Sequence, residues 1–141
     1  MSKKKKIILI GCIVILILLI LILYFDNSNP NNGIEPLTLK EEGKIPSEQC
    51  SERNLTDKII ILESASCSAC RIAIPRLQEV EDELNLSFIF IDISKDEDLK
   101  KMDEFAILPF YTPTIIVGCD VYIGLKSKEE YKRIIQNFLA R

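Results

Sequence analysis

Lys58-Ile59-Ile60-Ile61-Leu62-Glu63-Ser64-Ala65-Ser66-Cys67-Ser68-Ala69-Cys70-Arg71-Ile72-Ala73-Ile74-Pro75 contains a strand, a turn and the start of a helix in one continuous run. Residues 58–63 are short, apolar and β-branched, the composition of a buried strand. Ser64-Ala65-Ser66 is the turn. From Ser68 onward Ile72, Leu77, Val80 and Leu84 recur at helical spacing, predicting a helix over about 68–84 with the two cysteines at its N-terminus. Unpaired backbone N–H groups and the positive end of the helix dipole stabilise a thiolate there, which lowers the pKa of Cys67. Cys70, one turn on, can reach back and close a disulfide. An attacking thiolate with a resolving thiol beside it is a centre for dithiol–disulfide exchange.

Downstream, Ser87-Phe88-Ile89-Phe90-Ile91-Asp92-Ile93 reads as a second strand, and a short charged helix follows at about 95–105. A loop through Leu108-Pro109-Phe110-Tyr111-Thr112-Pro113 leads to a strand over Thr114–Val117. Gly118-Cys119-Asp120 turns the chain into Val121–Leu125. Ser127 caps a last helix whose Tyr131, Ile134, Ile135, Phe138 and Leu139 form one apolar face. The order β-α-β-α-β-β-α is an α/β arrangement, with a parallel βαβ start and an antiparallel hairpin finish. No internal repeat is visible.

Upstream, Ile7–Phe25 is a run of 19 uncharged residues behind Lys3-Lys4-Lys5-Lys6. A run of that length can cross a bilayer, and the basic flank predicts the N-terminus inside and the rest outside. The expected organisation is therefore a cytoplasmic basic N-terminus (1–6), a transmembrane anchor (7–25), a flexible Asn/Pro/Gly-rich linker (26–44) and a folded domain (45–141). The 141 residues hold 18 Lys+Arg against 21 Asp+Glu, and the four leading lysines leave residues 26–141 near −7. That balance argues against a nucleic-acid partner. Histidine is absent, which removes Cys-His and Ser-His catalysis and every histidine-containing metal site. Five cysteines in so short a chain point to an oxidising compartment.

Across about 55–140 the chain resembles the thioredoxin superfamily. The resemblance rests on Cys67-x-x-Cys70 after an apolar strand, on Arg71 and Pro75 behind the second cysteine, on Thr112-Pro113-Thr114 and on Gly124 before the last helix. It implies a thioredoxin-like fold, a central four-stranded mixed sheet flanked by helices. It also implies a cis bond at Pro113 that sets the backbone of Thr112 beside the reactive pair, where it holds an extended substrate. The family's Trp-Cys-Gly-Pro-Cys signature is replaced by Ser66 and a Ser68-Ala69 pair. The family's buried acid falls on Ile61 and its lysine partner on Phe88, so both members of that ion pair are apolar. Glu63 is the nearest acid in sequence that could take the proton of Cys70, against the more common arrangement of a solvent-facing glutamate at a strand end.

The same topology places Cys119 at the end of the sheet opposite Cys67, and Cys50, about eight residues before the first strand, can lie at that end too. The resemblance thus implies a structural Cys50–Cys119 disulfide, against the alternative of two unpaired thiols. The expected function is that of a membrane-anchored, extracytoplasmic thiol–disulfide oxidoreductase. Cys67 and Cys70 are its catalytic residues, Thr112 and Pro113 its substrate contacts, and its partners are cysteine-containing exported proteins and a membrane redox partner. No cofactor beyond the redox-active disulfide is expected. Two other readings fit the same residues: a redox-inactive binding or chaperone module with a structural Cys67–Cys70 bridge, and a copper metallochaperone using both thiolates.

Overall fold

The computed structural model describes residues 13–18, 20 and 33–141, and the chain divides into two units, 1–32 and 33–141. In the first unit residues 13–18 and 20 are helical. Among the described residues no helix is long and apolar enough to cross a membrane. The expected transmembrane anchor over 7–25 is corrected on that finding. With it go the extracytoplasmic placement, the exported substrates and the membrane redox partner that depended on it. The remainder of 7–25, residues 1–6 and residues 26–32 lie outside the described residues.

The second unit runs β1 (Leu37–Leu39), β2 (Gly43–Lys44), α1 (Ser47–Glu52), β3 (Ile59–Glu63), α2 (Cys70–Leu84), β4 (Ile89–Asp92), α3 (Asp96–Glu104), β5 (Ile107–Pro109), β6 (Thr114–Val117), β7 (Asp120–Ile123) and α4 (Lys128–Leu139). The main sheet has the order β2-β7-β6-β3-β4, with β3–β4 parallel and the other pairs antiparallel. The run β3-α2-β4-α3-β6-β7-α4 is a thioredoxin-like fold, mixed sheet and flanking helices included. Two features differ from the expected four-stranded sheet. A fifth strand, β2, joins its edge, and a separate parallel pair forms between β1 and β5. Both additions draw on residues 37–44, within the stretch expected as a linker. Leu37 and Leu39 sit two apart, as on a strand face, and Leu39 is buried in the core.

Alternation along β3 divides the interior into two cores. Ile60 and Leu62 face Cys50, Leu55, Ile91, Phe105, Ile107 and Ile116 on one side. Ile59 and Ile61 face Ala73, Leu77 and Val80 of α2 and Tyr131, Ile134 and Ile135 of α4 on the other. The period of two in a strand makes this division automatic once β3 is central. Ile61 and Phe88, where the resembled family carries an acid and a lysine, share the second core. An apolar pair there leaves no buried charge to be matched.

The ends of the helices are set locally. Ser127 Oγ accepts the Glu130 N–H at 3.2 Å, capping α4. Asn85 closes α2 in the left-handed conformation, with φ 50°. Gly118, with φ +60°, turns β6 into β7. A Cβ on it would come within 2.6 Å of the Phe138 ring, so the turn needs glycine for space as well as for conformation.

Candidate active site

The central strand delivers the reactive pair. β3 ends at Glu63, Ser64–Ser66 turn the chain, and the Cys67 N–H donates to the Ser64 carbonyl at 3.0 Å. Helix α2 begins at Cys70, and its N-cap residue, Ala69, offers no side-chain acceptor. Cys67 Sγ fills that role by accepting the Cys70 N–H at 3.0 Å. Cys67 and Cys70 are joined by a disulfide, with their Cα atoms 5.2 Å apart. The two sulfurs occupy different surroundings. Cys67 is half-buried, whereas Cys70 is 1% exposed beneath the first turn of the helix. On reduction the outer sulfur would keep an N–H donor and the helix N-terminus, both of which favour its thiolate form.

Facing Cys67 is the loop between β5 and β6. The Thr112–Pro113 peptide bond is cis, and the Thr112 carbonyl oxygen lies 3.3 Å from Cys67 Sγ. A disulfide sulfur has no proton to donate, so this is a close approach in the oxidised state and not a hydrogen bond. The loop is held by its own donors. Thr114 Oγ1 donates to the Tyr111 carbonyl at 2.6 Å, and the Gly124 N–H donates to the Pro113 carbonyl at 2.8 Å. Gly124 takes φ +84°, which a glycine adopts without steric cost. The structure thus brings Cys67, Cys70, Thr112 and Pro113 together, with Gly124 behind them.

Apolar surface collects around this point. Phe110 and Tyr111, 60% and 53% exposed, meet edge to face with ring centroids 4.9 Å apart. Ile72 in the first turn of α2, Leu108 of β5 and Leu125 beside Gly124 are also exposed. Only Leu139 is an exposed large hydrophobic residue of the second unit on a segment away from the two cysteines and the cis-proline loop.

Glu63, expected as the nearest acid, is held above the usual carboxylate range, first by burial and then by the charge of Asp92, with Lys95 opposing. Asp92 is its register partner on β4 and is itself held low, chiefly by the hydroxyl and N–H of Ser94. The charges acting on Glu63 therefore come from Asp92 on β4, Lys95 at the N-cap of α3 and Asp98 within α3.

Cys50 and Cys119 are joined by a second disulfide, Cα to Cα 5.6 Å, that ties α1 to the β6–β7 turn. Cys50 is fully buried in the first core. The Ile45 N–H donates to the Cys119 carbonyl at 2.8 Å, so β2 and the turn are fastened by backbone as well as by sulfur. Among the described residues no cluster of three metal-ligating side chains occurs.

Sequence reasoning passed over Arg53. It is 6% exposed and donates to the carbonyls of Glu35, Gln49 and Ala106 at 2.6, 3.1 and 3.3 Å. Its partners are backbone atoms up to 53 residues away, which leave no local pattern to read.

No family model matches the chain, and no curated protein does. Among solved structures, chloroplastic thioredoxin z is similar at 20% identity and TM-score 0.48, over 77% of this chain and 97% of its own. The oxidised thioredoxin of Plasmodium falciparum is similar at 15% identity and TM-score 0.41, over 74% and 98%. Within this fold Cys67 and Cys70 form a Cys-x-x-Cys disulfide at the start of a helix.

Proposed function

We propose that Cys67 is the attacking sulfur and Cys70 the resolving sulfur of a thiol–disulfide oxidoreductase that acts on polypeptide cysteines. The observation that carries this reading is the asymmetry of the pair: an outer sulfur with an N–H donor at 3.0 Å, and an inner sulfur 1% exposed. In the reducing direction the Cys67 thiolate attacks one sulfur of a substrate disulfide and the other leaves as a thiolate. Cys70 then gives up its proton and attacks Cys67 Sγ, and the second substrate thiolate departs. Two electrons pass to the substrate, and the Cys67–Cys70 bond forms. The steps run in reverse when a substrate dithiol meets the oxidised pair.

Thr112 and Pro113 are the substrate contacts in this reading. The carbonyl 3.3 Å from Cys67 is in place to pair with the backbone of a chain whose sulfur is bonded to Cys67. The exposed rings of Phe110 and Tyr111 and the side chain of Ile72 offer apolar contact on either side, which suits a polypeptide better than a small thiol. Cys50–Cys119 is assigned a structural role.

The test is trapping. Cys70→Ser should accumulate a mixed disulfide with a peptide disulfide at Cys67, because the resolving sulfur is gone. Cys67→Ser should trap none. Equal trapping by both variants would overturn the assignment of roles.

A further inference from the structure

The loop that follows β7 is fastened more heavily than a surface connection needs to be, and its fastenings lead to the cis-proline step. β2 begins only at Gly43, which pairs with Val121, so β7 has no β2 backbone partner beyond Val121. The carboxylate of Glu42 takes over. Its Oε1 accepts the Ile123 N–H at 2.8 Å and pairs with Lys126 Nζ at 2.9 Å. On the opposite side of β7 the next amide, that of Gly124, donates to Pro113. Two residues on, the Lys126 carbonyl accepts Arg76 of α2 at 2.8 Å, and its N–H donates to the hydroxyl of Tyr131 at 3.0 Å. That hydroxyl in turn donates to the Gly124 carbonyl at 3.4 Å. Residues 123–126 are thereby tied to the β1–β2 connection, to the helix that carries Cys70 and to α4.

We infer that Glu42 and Arg76 are positioning residues for thiol–disulfide exchange: by fixing residues 123–126 they fix the Gly124 amide, and through it the Pro113 carbonyl and the backbone of Thr112 against Cys67. The physical basis is rigidity at short range. One hydrogen bond from Gly124 to Pro113 sets the loop only if Gly124 itself is immobile, and glycine at φ +84° has the least intrinsic reason to be. Arg76 matters most among the ties, because it joins the proline loop to the helix bearing the reactive pair. Both sides of the substrate cleft then move together. Glu42 lies 81 residues from Ile123 in sequence and is half exposed, so its carboxylate is not part of any core. A half-exposed carboxylate that spends its acceptor on a strand amide, where solvent is at hand, is best explained by the geometry it imposes.

This inference rests on the reading of Thr112 as a substrate contact, and the test separates the two. Full-chain protein, kept reduced with dithiothreitol, would be assayed on an extended peptide disulfide and on hydroxyethyl disulfide, which has no backbone to pair. Glu42→Ala and Arg76→Met should each raise KM for the peptide roughly fivefold, the loss of about one net hydrogen bond. Each should change the rate with hydroxyethyl disulfide by less than about twofold, because the chemistry at Cys67 is untouched. Glu42→Gln should recover most of the KM, since its amide oxygen can still accept the Ile123 N–H. Unchanged KM in both variants, with wild-type turnover intact, would overturn the inference and leave the exchange reading standing. Equal losses on both substrates would also overturn it, marking the two residues as merely structural. No turnover by the wild type on either substrate would remove the inference and the exchange reading together.

Discussion

The molecule carries two disulfides in two settings that differ in access and in loop length. Cys50–Cys119 joins residues 69 apart in sequence, with Cys50 sealed in a core of Leu39, Ile45, Leu55 and Ile116. Cys67–Cys70 joins residues three apart, at the start of a 15-residue helix, with one sulfur open to a facing carbonyl. Closing a long loop restrains the unfolded chain. Closing a four-residue ring contributes little of that kind, and its sulfurs stay within reach of another thiol. In the proposed reading the same bond is a staple in one place and a reagent in the other, because of access, nearby donors and loop length.

The largest effect that would break this comparison is catalytic. Cys67→Ser should abolish exchange on a peptide disulfide, a loss of at least about a hundredfold, and leave the unfolding midpoint in denaturant close to that of the wild type. Paired Cys50→Ala and Cys119→Ala substitutions should do the opposite. Turnover should persist while stability falls by about 4 kcal/mol in the chain-entropy model. A double substitution that silenced exchange in a folded protein would show that the two bonds are not independent.

Arg53 sharpens the comparison by fastening the same half of the domain without sulfur. Arg53→Met strips donors from three backbone carbonyls and should cost about 2–3 kcal/mol in denaturant unfolding, again with turnover preserved. The smallest effect concerns the outer faces of α2 and α4. Glu83 is held at about 2 by its bonds to Lys128 and Lys132. A carboxyl lowered on folding from 4.5 stabilises the native state above that value and loses its contribution as pH falls toward about 2. The stability gap between wild type and Glu83→Gln should therefore be full at neutral pH and close between pH 4.5 and about 2. Because the pair is exposed, added salt should narrow the gap at neutral pH as well.

Much of this organisation is legible in the sequence, for reasons that can be named. β3 stands out as a short β-branched run buried on both faces, and α2 and α4 because each buries one face and so carries a period of 3.6. Cys67, Cys70, Thr112 and Pro113, the residues of the proposed exchange site, are singled out by local marks, the spacing of the cysteines and the X-Pro-Thr step. β1, β2 and β5 are strands of three, two and three residues, too short to carry a period, and each forms only because a distant partner supplies its hydrogen bonds. Glu42, Arg53 and Arg76 were illegible for a related reason. Their partners are main-chain atoms or loops far along the chain, so no residue type nearby announces them. The apolar run over 7–25 shows the reverse risk. Hydropathy over 19 residues permits a span, yet the described residues hold no helix that makes one.

The central claim is that one disulfide is exchangeable and the other structural, and glutathione equilibration of the full chain tests it most directly. Thiols would be trapped by alkylation across a series of glutathione ratios and located by mass spectrometry. Cys67 and Cys70 should open together at a ratio that leaves Cys50–Cys119 closed in the folded protein. If Cys67–Cys70 stayed shut until the long-range disulfide opened and the domain unfolded, the exchange reading would be wrong and both bonds would be structural.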